Sequence, residues 1–192
     1  MPADATALTP KARRTRLSLM EAGRKLAGLY GLEGVNVMAV CAEAGVGRTS
    51  FYNYFADVEG LIGAVATEAS RKIKDSFDRL HADEPRGHRR LRACLKMILT
   101  LAVEDPETVL LLTSLAQASP EVASLLNSEI HAELHAEAEA NIEDMQALSE
   151  FLAIATLALA RQFAETKLAP ESVDRHLAFL LRSTGQAWAH AL

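Results

Sequence analysis

Apolar residues in this chain recur at helical intervals. Leu19, Ala22, Leu26 and Leu29 fall at i, i+3, i+7 and i+10, one face of a first helix expected to end in a left-handed cap at Gly31. Asn36 carries an N-cap side chain for a second helix over residues 37–44. Gly45-Val46-Gly47 breaks that helix, and a third is expected over 48–54, with Val40 and Phe51 placed to pack beneath Val46. A short helix, a glycine-containing turn of about three residues and another short helix make a helix-turn-helix. Asp57 can cap a fourth, long helix over 58–80, in which Leu61, Ile62, Val65, Ile73, Phe77 and Leu80 keep helical spacing.

The polar stretch 81–88, with Pro85 and Gly87, reads as a loop. Apolar helical segments follow at 91–101, 109–115, 122–142, 148–163 and 173–188, broken at Asp105-Pro106, Ser119-Pro120 and Ala169-Pro170. No segment alternates with period two, and no repeat of fixed length exists. The prediction is an all-α chain of about nine helices. Residues 1–10, small and polar, are expected to be a flexible arm; 11–57 form a three-helix domain with the helix-turn-helix; 58–192 form a larger helical domain.

At 192 residues, 49% of them hydrophobic and 23% charged, the chain suits one or two small domains with a real core and not general disorder. No uncharged apolar run reaches the length of a membrane span, and Met1-Pro2-Ala3-Asp4 lacks the order of a secretory signal. A cytoplasmic protein without a membrane association is expected. Cys41 and Cys94 form no CxxC pair, so they read as buried thiols in a reducing compartment. The net charge of −5 argues at first against nucleic acid. Its distribution changes that reading. Residues 1–60 hold seven Lys/Arg against six acids, and the remainder thirteen against nineteen. Affinity for DNA needs local phosphate contacts, and an acidic remainder disfavours wrong-way binding.

A helix axis fits the major groove with its N-terminal residues facing base edges. Arg48 is best placed for a bidentate contact to guanine; Thr49 and Ser50 can touch thymine methyls or base edges; Asn53 can read adenine. Asn36 is placed for a phosphate. The hydroxyls of Tyr52 and Tyr54 can reach phosphates, or the rings can pack in the core, where Phe51 and Phe55 belong. Arg13, Arg14 and Arg16 are either a solvated first turn or an arm lying against phosphates.

Residues from about Arg16 to Val65 resemble the DNA-binding domain of the tetracycline-repressor (TetR) family. The stretch from Ala44 through Gly45-Val46-Gly47-Arg48-Thr49-Ser50-Phe51-Tyr52-Asn53-Tyr54 to Phe55 carries most of the match, with Arg16, Leu19-Met20, Ala22, Leu26 and Gly31 at family spacing. Three positions depart from the family pattern. Gly47 replaces the usual Ser cap, Thr49 stands where Gly is common, and Val58 stands where a Lys usually grips a phosphate. There the start of the fourth helix would have to hold the phosphate through backbone N–H groups. The resemblance favours DNA contact for both tyrosines. It implies a transcriptional regulator, a repressor released from operator DNA by a small, largely apolar effector, with residues 58–192 as the effector-binding and dimerisation domain. Candidate pocket residues are Phe77, Met97, Leu101, Leu112 and Phe151; candidate homodimer contacts are Ala153, Leu157, Leu177, Leu181 and Trp188. Leu148 to Phe163 is apolar nearly all round, which suits half of an intersubunit four-helix bundle.

No enzyme, metal or cofactor is expected. His131 and His135 lie at i, i+4, but His131-Ala132-Glu133-Leu134-His135 is not the HExxH order. Gly47-Arg48-Thr49 has Arg for Lys, lacks the first Gly of a phosphate loop and follows no strand; no GxSxG exists. The competing expectation is a helical ligand-binding or adaptor protein that has lost specific DNA reading.

Overall fold

The computed structural model describes residues 9–118, 120–136 and 142–183, and among them every regular element is helical. The order is α1 (Pro10–Tyr30), a single 3₁₀ turn (Leu32–Gly34), α2 (Val37–Ala44), α3 (Arg48–Tyr52), α4 (Val58–Asp83), α5 (His88–Glu104), α6 (Pro106–Ala118), α7 (Pro120–His135), α8 (Ile142–Thr166) and α9 (Ser172–Ser183). The all-α expectation holds, with nine α-helices among the described residues.

Several boundaries differ from the sequence reading, each for a local reason. Thr9 caps α1 through its hydroxyl, so the expected arm gives way to helix at Pro10. Leu29 is 56% exposed, because α1 outruns the core that covers Leu19, Ala22 and Leu26. Gly31 has the expected positive φ (70°), but its ψ of 177° leads into the 3₁₀ turn and not a left-handed cap. Polar residues 81–83 continue α4, leaving only 84–87 as the corner. The segment expected as one helix over 122–142 divides: α7 ends at His135, and Ile142 begins α8. Trp188 lies outside the described residues.

Two apolar cores are stacked along α4. The first joins α1, α2, α3 and the start of α4 around Leu19, Val40, Phe51, Phe55, Leu61 and Val65, and α6 contributes Leu111. The second joins α5 to α9 around Leu95, Leu99, Ile130, Leu152, Phe163 and Leu177, with Phe77 from the far end of α4. Position 58 is therefore no break in packing, since α4 feeds both cores. In the second core, the buried Glu133 of α7 accepts the Gly87 N–H at 2.8 Å and lies 3.4 Å from Arg90 Nη1. Arg90 also donates to the carbonyls of Glu84 and His81, so the α4–α5 corner is tied down by a charge-assisted network.

The stretch Met145–Thr166 of α8 is long and apolar enough to cross a membrane by length and composition. Its face formed by Leu152, Thr156, Ala160 and Phe163 is nevertheless packed inside the second core. The opposite face leaves Phe151 50% and Ile154 69% exposed, with Ala158 beside them.

Candidate nucleic-acid interface and effector cavity

The turn between α2 and α3 is built by glycine and by one anchor. Asn36 caps α2, its Oδ1 accepting the Ala39 N–H at 3.0 Å, which leaves the amide NH₂ outward. Gly45 ends α2 at φ 66°, ψ 33°, a conformation that a side chain strains, and Val46 N–H returns to the Cys41 carbonyl at 3.0 Å. Val46 is half-buried against the core that holds Val40 and Phe51, as its spacing predicted. Gly47 starts α3 through its backbone alone: its carbonyl accepts from Ser50 and Phe51.

The five-residue α3 is held by Phe51, which has no exposed surface and meets Phe55 at a ring-centroid distance of 5.9 Å. Arg48, Thr49 and Asn53 are exposed and Ser50 is half-buried; Arg48 makes no ion pair among the described residues. The tyrosines part company. Tyr52 is exposed, its ring edge-on to Phe51 at 5.4 Å, whereas Tyr54 is half-buried against the first core. Asn53 sits in a turn after α3 and not within it.

The basic cluster of α1 also divides. Arg13 and Arg14 are exposed. Arg16 is folded back, 3.1 Å from Met20 Sδ and 5.3 Å above the Phe55 ring, a cation–π contact that fastens α1 to the first core. Lys25 pairs with Glu43, joining α1 to α2. At the start of α4, Val58 is half-buried in the core, and the Asp57 carboxylate accepts the Gly60 N–H at 2.7 Å. That carboxylate occupies the helix start where a phosphate would have to bind.

Between α4, α5 and α6 lies a cavity of about 370 Å³, with Ile73, Met97 and Leu101 as its apolar wall and Lys72, Lys96, Glu104 and Asp105 among its polar lining. Met97 and Leu101 of the expected pocket set thus meet there. Phe77 belongs to the second core, Leu112 packs against the first, and Phe151 is exposed on α8. Among the expected dimer contacts, Ala153, Leu177 and Leu181 are buried within the protomer and Leu157 is half-buried against the same core. The outward apolar stripe is one step round the helix, at Phe151, Ile154 and Ala158, with Phe179 exposed on α9. The periodicity of an all-apolar helix carries no phase, so sequence reasoning put Phe151 in the pocket set and did not single out Ile154, Ala158 or Phe179. Two buried side-chain oxygens, on Asn127 of α7 and Thr156 of α8, have no hydrogen-bond partner among the described residues. Burial pushes the Cys94 thiol up to about 12, helped by the nearby Glu129 and Glu133. His131 and His135 meet edge to face at 4.4 Å, and His131 Nδ1 lies 3.4 Å from the Ser149 hydroxyl.

A second cleft, about 330 Å³, opens between α1, α4 and α6 beside Arg24. Arg24 bonds to Glu21 on its own helix and to Asp105, Glu107 and Thr108 at the start of α6. Burial opposes its charge, but the three carboxylates outweigh that and raise its pKa. Nothing in the sequence pairs residues so far apart.

Residues 19–65, which contain this helix-turn-helix, match the family model of the bacterial regulatory proteins, tetR family. By this N-terminal segment the chain is similar to the TetR family. The TetR fold also extends over nearly the whole chain. A TetR-like transcriptional regulator from Rhodococcus sp. RHA1 superposes with a TM-score of 0.76 at 17% identity, over 90% of this chain and 96% of that one. A gamma-butyrolactone receptor (ArpA-like protein) gives 0.71 at 19% identity over 90% and 88%, and the fatty acid degradation regulator FadR from Bacillus halodurans 0.66 at 16% over 91% and 96%. No curated protein sequence matches the chain.

Proposed function

We propose that this chain is a sequence-specific DNA-binding regulator of the TetR family, a cytoplasmic repressor that works as a homodimer and leaves its operator when a small, largely apolar effector binds. The observation that carries the reading is α3 itself. Phe51 turns its one anchoring side chain into the core while Arg48, Thr49 and Asn53 stay outward and uncommitted. Arg48 reads guanine, Thr49 and Ser50 touch thymine or base edges, and Asn53 reads adenine. The Asn36 amide and the Tyr52 hydroxyl take phosphates, with Arg13 and Arg14 adding charge from α1. Tyr54 and Arg16 support this surface from behind. The phosphate grip that Lys supplies at position 58 elsewhere in the family is absent, so α1 and Asn36 carry more of the backbone contact.

The dimer forms through the outward stripes of α8 and α9, giving a four-helix contact that sets the two α3 helices about 34–36 Å apart, one turn of duplex. The effector occupies the cavity between α4, α5 and α6, against Met97 and Leu101. It acts by differential affinity, favouring a conformer whose α3 helices are wrongly spaced. The shared fold with a gamma-butyrolactone receptor supports a small effector of this kind.

The test is selection from random duplex followed by a salt titration. A regulator yields one enriched palindromic sequence, and its affinity falls steeply with salt, by a slope of about −0.9 per phosphate contacted. No enrichment and a flat salt response would favour a helical ligand-binding or adaptor protein.

A further inference from the structure

Arg24 lies on α1, yet most of its partners lie on another helix. Asp105 is the residue before α6 and acts as its cap: Oδ1 accepts the Thr108 N–H at 3.3 Å, and Oδ2 accepts the Thr108 hydroxyl at 2.7 Å. Arg24 Nη1 donates to that same carboxylate and, at 3.2 Å, to the Thr108 hydroxyl. Nη2 pairs with Glu107 at 2.9 Å, while Glu21 takes Nε and Nη2 and fixes the plane of the guanidinium. The side chain is only 18% exposed. One turn further along α1, a Cβ on Gly28 would stand 3.2 Å from Glu107 Cα, so the two helices touch almost backbone to backbone. A planar fork held by several acceptors fixes direction as well as distance.

From this junction α1 runs without a compliant link to the surface that carries α3. Leu19, Ala22 and Leu26 are in the first core with Phe51, and Arg16 covers Phe55. A small rotation of α1 about Arg24 is therefore carried to α3 as a rigid-body turn. On the other side, Asp105 and Thr108 line the cavity between α4, α5 and α6. A molecule in that cavity touches the very acceptors that Arg24 holds.

We infer that Arg24 is a positioning residue for DNA reading: by gripping the cap of α6 it sets the angle of α3 against the second domain, and Asp105 and Thr108 are where a bound effector reaches that grip. The consequence for DNA rests on the proposed function; the angle itself does not.

The test is a distance measurement on the full chain without DNA. Spin labels go on Asn53→Cys and Arg175→Cys, both exposed positions, with labelled protein diluted into unlabelled; Cys41 and Cys94 are buried and stay unlabelled. The parent gives a narrow distribution. Arg24→Gln makes it about twofold wider, and Arg24→Lys, which keeps the charge and loses the fork, falls between. Gly28→Ala, with Arg24 intact, shifts the mean by pushing α1 off Glu107. Lys25→Gln, which removes an ion pair inside the N-terminal unit, changes nothing. Helix content by circular dichroism confirms that each variant folds. On a selected operator Arg24→Gln loses about fivefold in affinity while binding to random duplex is unchanged. Distributions unaltered by both Arg24→Gln and Gly28→Ala overturn the inference, as does equal broadening by Lys25→Gln. Broadening in a protein that binds no duplex sinks the DNA-reading proposal and upholds the grip.

Discussion

Ile154→Glu places a charge in the middle of the outward stripe of α8, and its effect on the proposed dimer follows from the exposure of that side chain. Full burial of an isoleucine contributes about 1.5–3 kcal/mol. Ile154 is 69% exposed in the protomer, so roughly two-thirds of that remains to be gained when a second copy covers it, about 1–2 kcal/mol. A twofold interface uses each residue twice, which doubles the loss to about 2–4 kcal/mol per dimer. The dissociation constant should rise about 30- to 1,000-fold, and burying an unpaired carboxylate adds to this. The isolated protomer should hardly notice, since exposed substitutions away from special features stay within about 0.5 kcal/mol. Sedimentation equilibrium over a range of concentrations reads the first quantity and a urea melt of the monomeric species the second. A dissociation constant within about threefold of the parent would show that this stripe is not the contact, whatever the oligomeric state. Leu157→Glu is the wrong experiment for this purpose, because Leu157 already packs against the second core and its loss would damage the protomer.

Arg48→Ala should cost about 1–3 kcal/mol at the selected operator and relax preference at one base pair, measured by fluorescence anisotropy on operator variants; equal loss on every sequence would refute base reading by this residue. Glu133→Ala strands Arg90 and the Gly87 N–H in the interior and should lower the urea-derived stability by about 3 kcal/mol. In the folded protein neither thiol should react with a disulfide reagent at pH 8.5, and both should react in denaturant. The raised Cys94 pKa has a definite sign: its contribution is full below about pH 9 and is lost as the pH climbs towards 12, where the unfolded thiol ionises and the folded one does not, so Cys94→Ala should flatten the alkaline side of a stability profile.

Features decided within a few residues were readable from the sequence. Asn36 and Asp57 cap the helices they precede because a cap needs only its own side chain and the next turn of backbone. The break at Gly45 and the burial of Phe51 followed from the same local chemistry. What escaped depended on distant partners. Arg16 reads as part of a solvated first turn or of a phosphate arm until Phe55, 39 positions on, is seen beneath it. Leu29 keeps the apolar phase of α1 but extends past the core. On α8, Ala153 and Ile154 are both apolar neighbours, and only the placement of the helices around α8 decides that one is inside and the other outside. The Arg24 junction spans 81 residues and left no local trace.

The dependence of α3 on one buried aromatic ring has an evolutionary consequence. The side chains of Arg48, Thr49 and Asn53 are exposed and outside the core that holds Phe51, so they can be exchanged while Phe51 stays put. Under the proposed function, base preference can therefore be rewritten by single substitutions that leave the anchoring ring and the core beneath it in place.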